Sequence, residues 1–196
     1  MSVRGRPVAI IDTETTGLIS VFHELIEVAI IRIEGSTREE GLFRFRPTFP
    51  ERASPKALEI NGWRKDRWAS LPHPMSPIGL EHYGSILKMV RGCYVIGHNV
   101  EFDLGFLRDH MSTHNRQQWA IAARERLSRP KIRGAIDTIA LSWLALGSEL
   151  DRLSLDHIRE RYPQIQTGEA HTALSDARTV ERLIKVIDPT IFGRAL

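Results

Sequence analysis

The chain has 196 residues, 42% hydrophobic and 26% charged, the balance of an ordinary globular protein of one domain. Its net charge of +3 excludes an acidic, solvating chain and is compatible with a polyanionic partner. A lone cysteine, Cys93, excludes an intrachain disulfide and sets the expectation of a reducing compartment, the cytoplasm; no membrane segment is expected either, because the apolar run near the N-terminus is too short for a signal peptide and no run approaches the ~20 residues of a spanning helix.

In chain order, residues 8–11 form the continuous apolar run of a buried strand. "LIEVAIIRI", 25–33, is β-branched and apolar on both faces and reads as a second central strand. Glu27 is the odd residue in it, since a buried carboxylate needs a partner; a salt bridge to a nearby Arg is the simplest. "GLFRFRPTF", 41–49, alternates apolar and basic residues as a half-exposed strand does, with Pro47 ending it or marking an edge. "SPKALEING" opens on Ser-Pro and closes on Asn-Gly, the start and stop of a short helix. "YVIG", 94–97, is a fourth strand, and "VEFDLGFLRDHM" places Phe102, Phe106 and Leu107 at helical spacing. Residues 113–135 are polar and basic, and loop around one helix is expected there. "IDTIALSWLAL", "SLDHIRERY" and "TALSDARTVERLIKVI" read as three further helices. Strands first, then strands mixed with helices, define the α/β class: a central mixed β-sheet flanked by helices, one domain across 1–196.

Three polar clusters interrupt this pattern. In "IIDTETTGL", Asp12 and Glu14 are two apart, so a strand places both on one face with Cα atoms ~6–7 Å apart. They repel unless something positive lies between them, and a hard divalent cation such as Mg²⁺ meets that need. In "GHNVEFDLGFL", Asp103 falls in the first turn of a helix that follows a strand. In "GEAHTALSDARTVERL", His171 and Asp176 are five apart, ~140° around a helix, so they do not share a helical face. The sensible arrangement puts His171 before the helix, Thr172 near its N-cap and Asp176 in its first turns. Each cluster alone has an ordinary explanation as a cap, a turn or a solvated charge. Together they sit at strand ends and helix starts, where an α/β sheet can gather them. Four acids and one His are the ligands and base that two-metal phosphodiester hydrolysis uses.

The motifs "DTETTGL", "HNVEFDLGFL" and "HTALSDA", in this order, resemble the DnaQ-like (DEDDh) 3′–5′ exonucleases of the ribonuclease H-like fold; "ALEINGW", "IDTIAL" and "LSLDHI" also fit. The resemblance implies that Asp12, Glu14, Asp103 and Asp176 bind two Mg²⁺ or Mn²⁺ ions and that His171 is the general base. It implies that Thr15, Thr16, Gly17 and Leu18 hold the 3′-terminal nucleotide, with Leu18 as an apolar wedge. Asn99 and Phe102 match positions lining the same pocket, and Ile60 and Asn61 match positions near the terminal bases. The expected substrate is nucleic acid with a free 3′ end, single-stranded DNA first, with release of nucleoside 5′-monophosphates. The alternatives are an RNA-directed enzyme like ribonuclease T or oligoribonuclease, or a polymerase-associated proofreading subunit. A homodimer is compatible with the resemblance; a polymerase partner is not expected, because neither an extension nor a clamp-binding peptide is evident. "WRKDRW", 63–68, and "RERLSRPKIRG", 124–134, mix basic with aromatic or basic residues in ways that suit nucleic acid but equally suit a solvated surface.

Overall fold

The computed structural model describes residues 5–63, 68–74, 76–115, 132–168 and 171–190, without the side chains of 112–115, and among them it has five strands and six α-helices. They are β1 (Val8–Thr15), β2 (Leu25–Glu34), β3 (Thr37–Arg44), α1 (Pro55–Ile60), α2 (Pro77–Val90), β4 (Tyr94–Gly97), α3 (Val100–Asn115), β5 (Gly134–Asp137), α4 (Thr138–Leu146), α5 (Leu155–Arg161) and α6 (Ala173–Ile187). The core of each basic stretch, residues 64–67 and 124–131, lies outside the described residues.

The strands form one mixed sheet in the order β3-β2-β1-β4-β5. β2 is antiparallel to both β1 and β3, whereas β4 is parallel to β1 and β5 parallel to β4. β1 is therefore central, and the carboxyl ends of β1, β4 and β5 emerge at one edge, where open α/β sheets place their ligands.

Alternation along β1 builds two cores. Ala9 and Ile11 point to the face covered by α2 and α3, packing with Ile86, Val90, Phe106 and Leu107. Ile10 points to the opposite face, where Ala173, Ala177, Val180 and Ile184 of α6 cover it. Burying a side chain such as Val180 or Ile184 stabilises by roughly 1.5–3 kcal/mol. α6 is further fastened to β3 by Arg38–Glu181 at 2.8 Å and Arg178–Glu40 at 2.5 Å. Among the described residues no helix is long and apolar enough to cross a membrane.

Three elements depart from the sequence expectation. β3 occupies Thr37–Arg44 rather than 41–49, because Gly35 at φ 61° closes a tight hairpin and Glu34 pairs directly with Thr37. Residues 45–49 leave the sheet, although Phe45 is fully buried beside Tyr83 at 4.9 Å. Gly134–Asp137 is the fifth strand, where loop and then helix were expected, and α4 begins at Thr138. α2 was not anticipated; Ser76 caps it by accepting from the Gly79 amide, and Pro77 occupies its first turn.

Candidate active site

β1 runs past its apolar segment to Thr15, so the acid pair belongs to the strand itself, with Asp12 opposite Ala29 and Glu14 opposite Glu27. The alternation that sends Ile10 toward α6 sends Asp12 and Glu14 the same way. Asp176, in the first turn of α6, meets them there: one carboxylate oxygen from each of Asp12, Glu14 and Asp176 lies within 4.8 Å of the others. Thr13 points to the opposite face, toward α3. Its hydroxyl donates at 2.7 Å to Asp103 Oδ1 in the first turn of that helix, so Asp103 is held beside β1 on the α3 side, outside the group of three but close enough for its charge to act on Asp12.

His171 precedes α6 in a left-handed conformation, φ 61°, with Thr172 at the N-cap, as the spacing of His171 and Asp176 requires. The Thr172 side chain makes no capping bond; Glu27 Oε1 accepts the Ala173 amide at 3.2 Å instead. The other Glu27 oxygen takes a 2.8 Å bond from Arg44, so this mid-strand acid is both ion-paired and a cap for α6. His171 Nε2 lies 3.7 Å from Asp156 of α5.

Burial and crowding hold these acids toward their protonated forms. Glu14 is pushed from 4.5 up to about 9, first by desolvation and then by the charges of Asp176 and Glu27. Asp103 rises to about 7, mainly through burial, against the bond from Thr13. Asp12 is raised well above the usual carboxylate range by burial and by Asp103, Asp176 and Glu14. Asp176 is raised by burial, and Arg159 opposes that shift. Carboxylates this mismatched with their surroundings are suited to a divalent cation, which replaces several protons and offers the oxygen ligands' preferred partner.

The remaining expected site residues divide into holders and exposed groups. Thr15 donates to the Gly17 carbonyl oxygen at 2.6 Å, and Thr16 Oγ1 accepts the Glu24 amide at 2.8 Å, so both hydroxyls brace the loop after β1. Gly17 is required by its own chain: a Cβ there would sit 2.3 Å from the His23 ring. Leu18 is 80% exposed beyond this brace, and Ile60 at the end of α1 is also exposed. Asn61 donates to the Thr15 carbonyl oxygen at 3.1 Å and fastens α1 to the end of β1. Asn99 is exposed at φ 68°, and Phe102 leans on Phe106 with ring centroids 4.8 Å apart. His98, in the same motif, is engaged through Nδ1 with Thr138 and through Nε2 with the Leu153 carbonyl, at 3.0 and 2.7 Å.

Three polar groups at this edge escaped the sequence reading. Asp137 accepts from the amides of Asn99, Val100 and Ile139, so one carboxylate caps α3 and α4 together. Arg159 is buried and bonds Asp176 Oδ1 at 2.5 Å and Asp156 Oδ1 at 2.8 Å. Asp156 thereby touches both Arg159 and His171. The only signal for Arg159 was its place beside Ile158 on the buried side of a short helix.

A central β1 carrying two acids, with further acids delivered by α3 and α6, is the ribonuclease H-like architecture of nucleases. The exonuclease family model RNase_T matches residues 9–184, and the chain belongs to this family. Among curated proteins it is 29% identical over 191 residues to a DNA polymerase III subunit epsilon-like protein of Rhodobacter capsulatus, covering 95% of this chain and 24% of that protein. It is 26% identical over 186 residues to a PolC-type DNA polymerase III of Lacticaseibacillus paracasei, covering 91% of this chain and 11% of that one. The chain thus spans a quarter or less of these relatives. Solved structures of similar fold include Exonuclease I of E. coli in complex with a dA16 oligonucleotide, at TM-score 0.69 and 20% identity over 95% of this chain and 42% of the other. Exonuclease I of Methylocaldum szegediense matches at TM-score 0.68 and 21% identity, over 95% and 42% of the two chains.

Proposed function

We propose that this chain is a metal-dependent 3′–5′ exonuclease that removes nucleoside 5′-monophosphates from the 3′ end of single-stranded DNA. The observation that carries the reading is the convergence of Asp12, Glu14 and Asp176 within 4.8 Å, beside Asp103 and with His171 at the start of the same helix as Asp176. Asp12, Glu14, Asp103 and Asp176 would hold two Mg²⁺ or Mn²⁺ ions, a hard cation being what an all-oxygen donor set selects. Ions bound there supply Lewis-acid stabilisation of the attacking and departing oxygens. His171, partly exposed and outside the acid cluster proper, takes the proton of the attacking water, with the Asp156 carboxylate 3.7 Å from its Nε2. Leu18 and Ile60 offer apolar surface to the terminal bases, while Asn99 and Phe102 line the same edge. Thr15, Thr16, Gly17 and Asn61 keep the nucleotide-facing loop in place.

The test is digestion of 5′-labelled DNA and RNA strands side by side with Mg²⁺ or Mn²⁺, with the Asp12→Ala protein as control. A ladder shortening from the 3′ end, dependent on metal and absent in the control, is expected, with DNA cut faster than RNA. Faster cleavage of RNA would reassign the sugar; intact strands of both kinds would overturn the reading.

A further inference from the structure

The acid cluster contains a cation of its own. Arg159 sits on α5, beside α6, with its side chain only 6% exposed. It gives one hydrogen bond to Asp176 Oδ1 at 2.5 Å and one to Asp156 Oδ1 at 2.8 Å, and its Nε has no hydrogen-bond partner among the described residues. A guanidinium serving only as a strut would satisfy its donors, because an unpaired buried donor costs about 1–3 kcal/mol. Here the group is aligned on Asp176 instead, and its charge also acts on Asp12. Arg159 thus holds Asp176, one of the three clustered acids, through its Oδ1.

We propose that Arg159 is a positioning residue and resident counter-ion of the metal site: it fixes the Asp176 carboxylate and competes with a divalent cation for it. This rests on the metal-site reading above. The physical consequence has two parts. In metal-free protein Arg159 neutralises the charge on Asp176, so α6 can dock on β1 before any ion arrives. In metal-loaded protein its fixed positive charge opposes a second positive charge close by, so the Asp176 side of the site binds its ion weakly until a phosphate adds negative charge. Asp156 serves the same device from outside: half-exposed, it anchors the guanidinium while touching His171, which links the counter-ion's position to the base.

The experiment is calorimetric titration of Mn²⁺ into chelator-stripped protein without nucleic acid, comparing wild type, Arg159→Gln and Arg159→Lys. Removing the charge with Gln is expected to tighten Mn²⁺ binding at the weaker site by about tenfold or more, whereas Lys, which keeps the charge, stays within about threefold of wild type. Arg159→Gln should also gain more thermal stability from Mn²⁺ than wild type does, since the ion then takes over the arginine's neutralising role. A folded Arg159→Gln protein with unchanged or weaker Mn²⁺ affinity would overturn the proposal. So would a variant that stays unfolded even with saturating Mn²⁺, because the metal then cannot stand in for the arginine. If wild type itself binds no Mn²⁺, the metal-site reading fails and this inference falls with it; binding by all three proteins with equal affinity sinks only the role given to Arg159.

Discussion

Glu14 makes the metal-free enzyme sensitive to pH in a direction opposite to most carboxylates. An unfolded glutamate ionises near 4.5, whereas folded Glu14 is pushed up to about 9 by burial and by Asp176 and Glu27. Below about pH 4.5 both states hold the proton, and no stability difference arises. Above it the unfolded chain releases the proton while the folded chain keeps it, so the folded state loses ground steadily until about pH 9. At pH 7 roughly two and a half pH steps of about 1.4 kcal/mol each have accumulated, about 3 kcal/mol. Shared interaction with Asp176 and Glu27 brings the share of Glu14 alone to about 2–3 kcal/mol. Glu14→Gln removes the ionisable group at almost constant shape. In chelator-treated protein it is expected to raise unfolding stability by about 2–3 kcal/mol at pH 7, a Tm rise of roughly 5–10 °C, and by almost nothing at pH 4.5. Urea denaturation of both proteins from pH 4.5 to 9 checks this. The order should reverse when Mg²⁺ or Mn²⁺ is added, because only wild type has the full ligand set. Parallel pH curves for the two metal-free proteins, or a wild type that becomes more stable as pH rises through this window, would refute the reasoning.

Four further outcomes are expected. Thr13→Val removes the hydrogen bond that restrains the Asp103 pKa, so activity at saturating metal should fall several-fold at pH 7 and recover at higher pH, read from a pH–rate profile. His171→Ala should lower the turnover rate about 10²–10⁴-fold while leaving Mn²⁺ binding by calorimetry intact. Leu18→Ala, at an 80% exposed position, should leave stability unchanged and raise KM for single-stranded substrate more than it lowers kcat. Glu27→Ala breaks the Arg44 pair and uncaps the Ala173 amide, and should destabilise the protein by about 1–3 kcal/mol in urea denaturation.

The placement of the acids was legible because local rules decide it. Two residues apart in a strand fixes Asp12 and Glu14 on one face, and a helix that must begin between His171 and Asp176 fixes those two. What stayed hidden depends on contacts distant in sequence. Arg159 looks like an ordinary charged residue until α5 is set against α6, which brings it to Asp176. Gly17 carries no sequence sign of its closest neighbour, the His23 ring, which a Cβ there would meet at 2.3 Å. α2 was obscured by Gly79 and Gly84, residues that weaken a helical pattern; Gly79 is needed because a Cβ would lie 2.3 Å from the His73 carbonyl oxygen. β5 is only four residues long, and its strand conformation comes from pairing with β4 rather than from its own pattern.

The cap that Glu27 places on the Ala173 amide has a consequence for how the molecule breathes. His171 and Asp176 lie on either side of that bond, so fraying at the start of α6 displaces both together and loosens Arg159 with them. Deuterium uptake at the amides of 173–177 then gauges how often this terminus opens, and a metal bound at the proposed site should slow it long before global unfolding is affected.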